Sequence, residues 1–349
     1  MSELKQLKRI IVIGPYPPPY TGWTMRILNV QKALHERGHE CLGLDIGPNR
    51  RVPREGCITA VNGLDYALKV IRYAAAGWTF HLRINGDSKK GFWLAWTATL
   101  ASRVCGRGRR TVVTFQGGPH QPYFPKPSQS RFFDWMCTRI LRNAAAVITD
   151  NEAVKQGVVR YGVPGERVHP ISPFTRQYLD VPRAQCPEPM AKFATGKNPL
   201  LLTYAEDRQE YTLEALFEAV AALRKDFPKL GLIFTGGEPP VPAPLRDCVY
   251  LAGNVRHELF LSLLEKSTAY VRTHLQDGVC ASVLEGLALG TPVVAAEDGI
   301  RPDGVVKFRG GDAADIRAKV LEGLKQPRVP RGIIPDTIQE EVDLLLRVT

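Results

Sequence analysis

Short apolar runs alternate with helical segments along most of the chain, in two series separated by a proline-rich interval. This order constrains the fold more than any other feature, because parallel strands of one sheet must be joined by crossovers and helices supply them. The first series begins RIIVIG, then a loop PYPPPYTGW, a helix TMRILNVQKALHERG and a strand HECLGLDI. It continues through WTFHLRIN, the helix GFWLAWTATLASRVCG, the strand TVVTFQGG, a helix through FFDWMCTRILRNA, the strand AAVITD and the helix NEAVKQGVVRYG. The second runs LLLTYAE, TLEALFEAVAALRKDFP, LGLIFTGG, CVYLAG, HELFLSLLEKS, AYVRTHL, SVLEGLALG and PVVAAE. The expected organisation is a doubly wound α/β domain over 1–179, a linker over 180–199, a second such domain over 200–330 and a terminal helix within 331–349 that crosses back to the first domain. Ligands of such sheets bind outside the carboxyl ends of the strands, here in a cleft expected between the domains.

The 349 residues suffice for two domains with real cores. Seven scattered cysteines with no close pair argue for a reducing compartment, and no apolar run is long enough to span a membrane. A cytoplasmic protein is expected. The formal charge of +11 is uneven: residues 1–190 hold 27 Lys and Arg against 13 Asp and Glu (+14), and the remainder 19 against 22 (−3). A basic half suits nucleic acid, anionic lipid or phosphorylated substrates.

The stretch DGVCASVLEGLALGTPVVAA, residues 277–296, carries the chemistry. Asp277 ends a strand and loop, Gly278 lets the backbone approach a ligand, and free N–H groups at the following helix start can hold phosphate oxygens. Glu285 lies on that helix. Carboxylates beside a phosphate site are poor phosphate ligands but good acceptors for sugar hydroxyls. The plainer readings are a helix cap for Asp277 and an exposed helix glutamate for Glu285.

This stretch resembles the donor-site signature of the family 4 retaining glycosyltransferases, in which an acid and a glycine-rich run precede Leu-Glu-Ala-Met-Ala and Gly-x-Pro-Val-Val-Ala. GPYPPPYTGWTMRILNVQKALHERGHE, DNEAVKQGVVRYGVPGERVHPI and the TGG of LGLIFTGG resemble further landmarks of that family, in its order. The resemblance implies a GT-B fold of two Rossmann-like domains, the acceptor bound mainly by the first and a nucleotide diphosphate sugar by the second. It puts the ribose on Glu285 and the transferred sugar on Asp277, Gly278 and Val279. The implied chemistry retains anomeric configuration, with the departing phosphate oxygen taking the acceptor's proton and with no metal. UDP is the favoured nucleotide, GDP the alternative.

The chain departs from that pattern in several places. The family's phosphate clamp, an Arg and a Lys five residues on, falls on Glu206 and Tyr211, so Arg208 and, from the first domain, Arg26 are the candidate replacements. Asp277 is one methylene shorter than the usual Glu. Gln116 stands where the family often has a histidine near the reacting sugar, and His120 is its candidate substitute. In the first loop Gly22 matches better than Thr21, and with Gly14 it puts a stiff turn toward the donor phosphates. Asp298 and Gly299 follow the strand PVVAA where the family turns near the sugar. Asn151 reads most simply as a helix cap beside Asp150.

Trp93 and Trp96 near one end of the helix GFWLAWTATLASRVCGRGRR, with Lys89, Lys90, Arg103, Arg107, Arg109 and Arg110 around it, suit an interfacial surface on anionic lipid. A core helix with a solvated basic end is the plainer reading. The favoured expectation is a peripheral enzyme on the inner face of the cytoplasmic membrane that transfers sugar to a lipid-linked or glycan acceptor in cell-surface or exopolysaccharide assembly. The rivals are a noncatalytic nucleotide- or partner-binding subunit, a nucleic-acid binder, for which no recognition motif is present, and an epimerase or phosphorylase on similar paired domains.

Overall fold

The computed structural model describes residues 7–17, 22–47, 50–86, 88–106, 111–117, 121–123, 130–275, 277, 280–299, 301–330 and 336–349. The chain divides into two compact units, Met1–Thr175 with Pro335–Thr349, and Arg176–Ile334.

The first unit runs β1 (Arg9–Gly14), α1 (Gly22–Glu36), β2 (Glu40–Asp45), β3 (Cys57–Ile58), α2 (Gly63–Ala75), β4 (Thr79–Ile84), α3 (Lys89–Val104), β5 (Val112–Phe115), α4 (Arg131–Asn143), β6 (Ala146–Thr149), α5 (Glu152–Arg160) and β7 (Val168–Pro170). Its strands form one parallel sheet in the order β3-β2-β1-β4-β5-β6-β7. A sheet covered on both faces needs strands apolar on both sides, which is why RIIVIG reads as an unbroken run. Ile11 and Ile13 pack with Val70, Phe92, Met136 and Ile140 on one face, while Ile10 and Val12 meet Ile27, Val30 and Leu34 of α1 on the other. Gly14 is set by packing: a Cβ there would lie 2.7 Å from Ile27 Cδ1 and 3.4 Å from Arg83 Cβ.

The elements β3 and α2 lie between HECLGLDI and WTFHLRIN, where the sequence pattern shows none. Helix α2 is capped by Asn62, whose side chain accepts from the Asp65 N–H. It buries Tyr66, Val70 and Ala74 yet exposes Leu64, Leu68 and Ile71, so its apolar residues do not fall on one stripe.

The second unit contains α6 (Glu188–Ala194), β8 (Leu200–Ala205), α7 (Leu213–Asp226), β9 (Gly231–Gly236), β10 (Val249–Gly253), α8 (His257–Lys266), β11 (Ala269–Arg272), α9 (Ala281–Ala288), β12 (Val293–Ala296), β13 (Val306–Phe308) and α10 (Ala313–Leu324). The sheet is again parallel, ordered β10-β9-β8-β11-β12-β13. Helix α6, with Met190 buried, occupies part of the interval expected as plain linker.

The last helix, α11 (Ile338–Val348), belongs to the first unit and packs Ile338, Val342 and Leu345 into the cluster that holds Ile27 and Leu34 of α1. Its Glu341 is buried between two arginines, at 2.7 Å from Arg26 Nε and 2.8 Å from Arg83 Nη1. Arg26 also donates to the carbonyls of Phe174 and Thr337. This corrects its expected role: Arg26 is fully buried and holds the terminal helix, so it is not a cation available to a diphosphate.

Candidate functional site

Strand order reverses between β8 and β11, and in an open parallel sheet that reversal leaves a crevice outside the carboxyl ends. The residues that leave those two strands build a buried polar cluster there. Arg272, the last residue of β11, donates through Nε and Nη2 to the two oxygens of Asp277 (2.8 and 2.6 Å) and through Nη1 to the Tyr204 carbonyl (2.9 Å). Arg301 donates to Asp277 Oδ2 (3.0 Å) and to the carbonyls of Ala296 and His274. The Asp298 carboxylate lies 3.2 Å from Arg301 Nε. Two guanidinium groups thus face two carboxylates, and the Asp277 side chain is only 9% exposed.

The electrostatics follow from this pairing. Burial alone would raise the pKa of Asp277, but Arg272, Arg301 and His274 outweigh it and hold the carboxyl far below the usual range. His274 Nδ1 is 3.4 Å from Asp277, yet burial, with Arg272 and other cations adding to it, lowers that imidazole to about 4. Near neutral pH the cluster therefore holds an ionised Asp277 and a neutral His274.

Glu285 is not an exposed helix residue. Its side chain is 5% exposed, and Oε1 lies 2.8 Å from His257 Nε2 at the start of α8. Burial disfavours the imidazolium, but the hydrogen bond and charge of Glu285 exceed that effect and the pKa of His257 is raised. His257 also meets the Tyr178 ring edge-on at 6.2 Å. No sequence pattern pairs Glu285 with a residue twenty-eight positions away; the only signal is a histidine opening the next helix upstream.

At the two clamp positions the structure has other chemistry. Glu206 pairs with Arg208 at 3.2 Å and accepts from the Tyr204 hydroxyl at 3.3 Å. Tyr211 is buried, with the Arg208 and Arg272 guanidiniums over its ring at 5.5 and 5.2 Å and His274 against it at 4.6 Å. Thr212, which follows, has φ +44°, a left-handed conformation that costs a non-glycine residue about 1–2 kcal/mol. Gly236 closes the floor: it has φ +102°, and a Cβ would meet the Ala205 carbonyl oxygen at 2.4 Å. Gly299, at φ +82°, donates to Glu297.

His120, Gly278 and Val279 lie outside the described residues. In the first unit Gly22 is the first residue of α1. Gln116 follows β5, is 8% exposed, and leaves its buried Oε1 without a hydrogen-bond partner among the described residues. Beside it Asp150 accepts from the Gly117 N–H at 3.0 Å, and burial, partly offset by that bond, raises its carboxyl to about 7. Asn151 caps α5 by accepting from the Val154 N–H. Among the described residues no group of three or more His, Cys, Asp or Glu is placed to hold a metal ion, and no helix is long and apolar enough to cross a membrane.

A family model described as a glycosyl transferase 4-like domain matches residues 21–173, and one described as glycosyl transferases group 1 matches residues 199–326. Among solved structures the chain is similar to a glycosyltransferase from Rickettsia africae, at 15% identity with 97% of this chain and 92% of that chain covered and a TM-score of 0.64. It is similar to Anabaena HepE in complex with UDP (13% identity, 97% and 94% covered, TM-score 0.62) and to a UDP-N-acetylglucosamine 2-epimerase (10%, 98% and 96%, 0.61). At these identities the likeness is one of fold, two Rossmann-like parallel-sheet domains of the GT-B class. No curated protein matches the chain in sequence.

Proposed function

From a chain that carries a glycosyl transferase 4-like domain and a glycosyl transferases group 1 domain in the GT-B fold, we propose a retaining, metal-independent glycosyltransferase. It moves a hexose from a UDP-sugar to a lipid-linked or glycan acceptor on the inner face of the cytoplasmic membrane, in polysaccharide or cell-envelope assembly. The observation that carries the donor assignment is Glu285, a buried carboxylate oriented by His257 on the helix after β11. Such a group accepts hydrogen bonds from the two ribose hydroxyls at no cost of reorganisation.

In this reading Asp277, held by two arginines, is a fixed acceptor for the transferred sugar's hydroxyls. The three nitrogens of Arg272 and of Arg301 each donate to Asp277 or to a carbonyl, so in this reading these cations position the acid first of all. Backbone N–H groups at the start of α9 and Arg208, released from Glu206, serve the phosphates. Transfer breaks the bond from the sugar's anomeric carbon to the diphosphate oxygen, forms the bond to the acceptor oxygen on the same face, and passes the acceptor's proton to the departing phosphate. Asp298 and Gly299 contribute further polar contacts to the donor.

The Glu206–Arg208 pair favours a second reading, a protein that binds nucleotide without turnover, since the clamp cation is engaged. The deciding experiment incubates purified protein with UDP- and GDP-sugars, with and without polyprenyl diphosphate-linked acceptors, and follows nucleotide release, with NMR of the product anomer. UDP release that needs acceptor, survives EDTA and vanishes in D277A supports transfer. UDP binding without release supports the second reading, and absence of binding defeats both.

A further inference from the structure

Helices α3 and α4 lie side by side, with Phe92 against Phe133 at 5.1 Å on their core side. Their other side carries three exposed aromatic residues, Trp93, Phe132 and Trp135, around a fourth, Trp96, that is half-buried against the core. Trp93 and Trp96 stand one helical turn apart on α3, Phe132 and Trp135 one turn apart on α4. Their rings close a circuit: 5.9 Å from Trp93 to Trp96, 6.4 Å to Trp135, 5.6 Å to Phe132 and 5.7 Å back to Trp93. Phe132 is 52% exposed and Trp93 and Trp135 44% each, so the contacts leave much of each ring in water. Leu100 and Val104 extend the stripe along α3. A contiguous apolar surface of this kind, rimmed by polar groups, marks an interaction site.

Charge selects the partner. Lys89, Lys90, Arg103, Arg131, Arg139 and Arg142 lie on these two helices, all exposed, against a single acid, Asp134. The Arg139 guanidinium sits over the Trp135 ring at 5.5 Å, and Arg103 donates to Asn143 at the carboxyl ends. Aromatics therefore gather toward one end of the helix pair, with cations at that end and along the rest. Tryptophan at headgroup depth and arginine on lipid phosphate use this arrangement. A second copy fits poorly, because an isologous contact would set the cations against themselves.

We propose that the α3–α4 aromatic quartet is the surface by which this chain docks on an anionic lipid bilayer, with Phe132 and Trp135 as much part of it as Trp93 and Trp96. The inference deepens the membrane placement of the proposed function and needs nothing from the sugar chemistry.

The test uses the full chain with phosphatidylcholine vesicles and the same vesicles containing phosphatidylglycerol, read by co-sedimentation and by tryptophan emission. The expected result is binding to the anionic vesicles with a blue-shifted emission, weakened by salt. W93A/F132A/W135A loses at least about tenfold in partition. R139E/R142E loses roughly fivefold per cation on anionic vesicles and nothing on neutral ones. Because all five side chains are exposed, both variants keep the wild-type Tm. Absence of wild-type binding, or a triple variant that binds as well as the wild type, overturns the proposal. So does a wild-type dimer that the triple variant converts to monomer without any vesicle binding. Vesicle binding by a protein that releases no UDP leaves the docking surface standing while defeating the transferase reading.

Discussion

Asp277 stands between Arg272 and Arg301 with both oxygens occupied. Removing its charge leaves the buried Arg272 guanidinium without a carboxylate and Arg301 with Asp298 alone. We expect Asp277→Asn to lower stability by about 3–5 kcal/mol in urea unfolding, the range for breaking a buried pair from one side; a loss under about 1 kcal/mol would mean that the arginines find other partners. His257 makes a separate, pH-dependent contribution. Its raised pKa favours the imidazolium in the folded chain, so the stabilisation from its pair with Glu285 is complete below the ordinary imidazole range and is lost as pH rises through the raised value. Wild-type stability should fall as pH rises from the ordinary imidazole range through the raised value, and His257→Gln should flatten the profile there. An unchanged profile in the variant would remove His257 from the account. The two acids of the motif were legible in the sequence because their spacing resembles a known signature. Their partners were not, since Arg272 reaches Asp277 from the preceding strand and Arg301 from the turn after β12, and no linear pattern records that convergence.

Among elements, strands such as RIIVIG and PVVAA were legible because burial on both faces of a parallel sheet leaves a continuous apolar run. Helix α2 was not, since it exposes three large aliphatics as well as burying a face. The terminal helix α11 was readable as a helix, but its anchor joins Glu341 to Arg26 across 315 residues. The two arginines outweigh burial there and hold the Glu341 carboxyl at about 2, so its stabilisation is present above the ordinary carboxyl range and is lost only as pH falls toward that value. Glu341→Ala should cost about 3–5 kcal/mol at neutral pH, seen as a lower urea midpoint with an unchanged slope. A variant within about 0.5 kcal/mol of the wild type would show that apolar packing alone seats the helix. Replacing Glu341 together with Arg26 and Arg83 by apolar residues of similar size should recover much of the loss, because the ions then have no desolvation cost to offset.

At the scale of the molecule, two doubly wound parallel sheets were expected from the alternation of strands and helices alone, whereas the places where strand order reverses, β1/β4 and β8/β11, are read from the structure. The charge divides as +11 over the first unit and zero over the second, which suits a basic unit that meets lipid and a neutral one in which the buried cations among the described residues, Arg272 and Arg301, are neutralised internally. In the proposed function, donor recognition by that second unit rests on placed groups and not on net charge, with Glu285 first among them. Calorimetric titration of the purified chain with UDP, repeated on Glu285→Gln, tests this most directly. Saturable UDP binding in the wild type, weakened about tenfold or more in a variant that keeps its fold, is the predicted result, on the scale of one charge-assisted hydrogen bond. Equal affinity in the two proteins, or no binding of UDP at millimolar concentration, would contradict it.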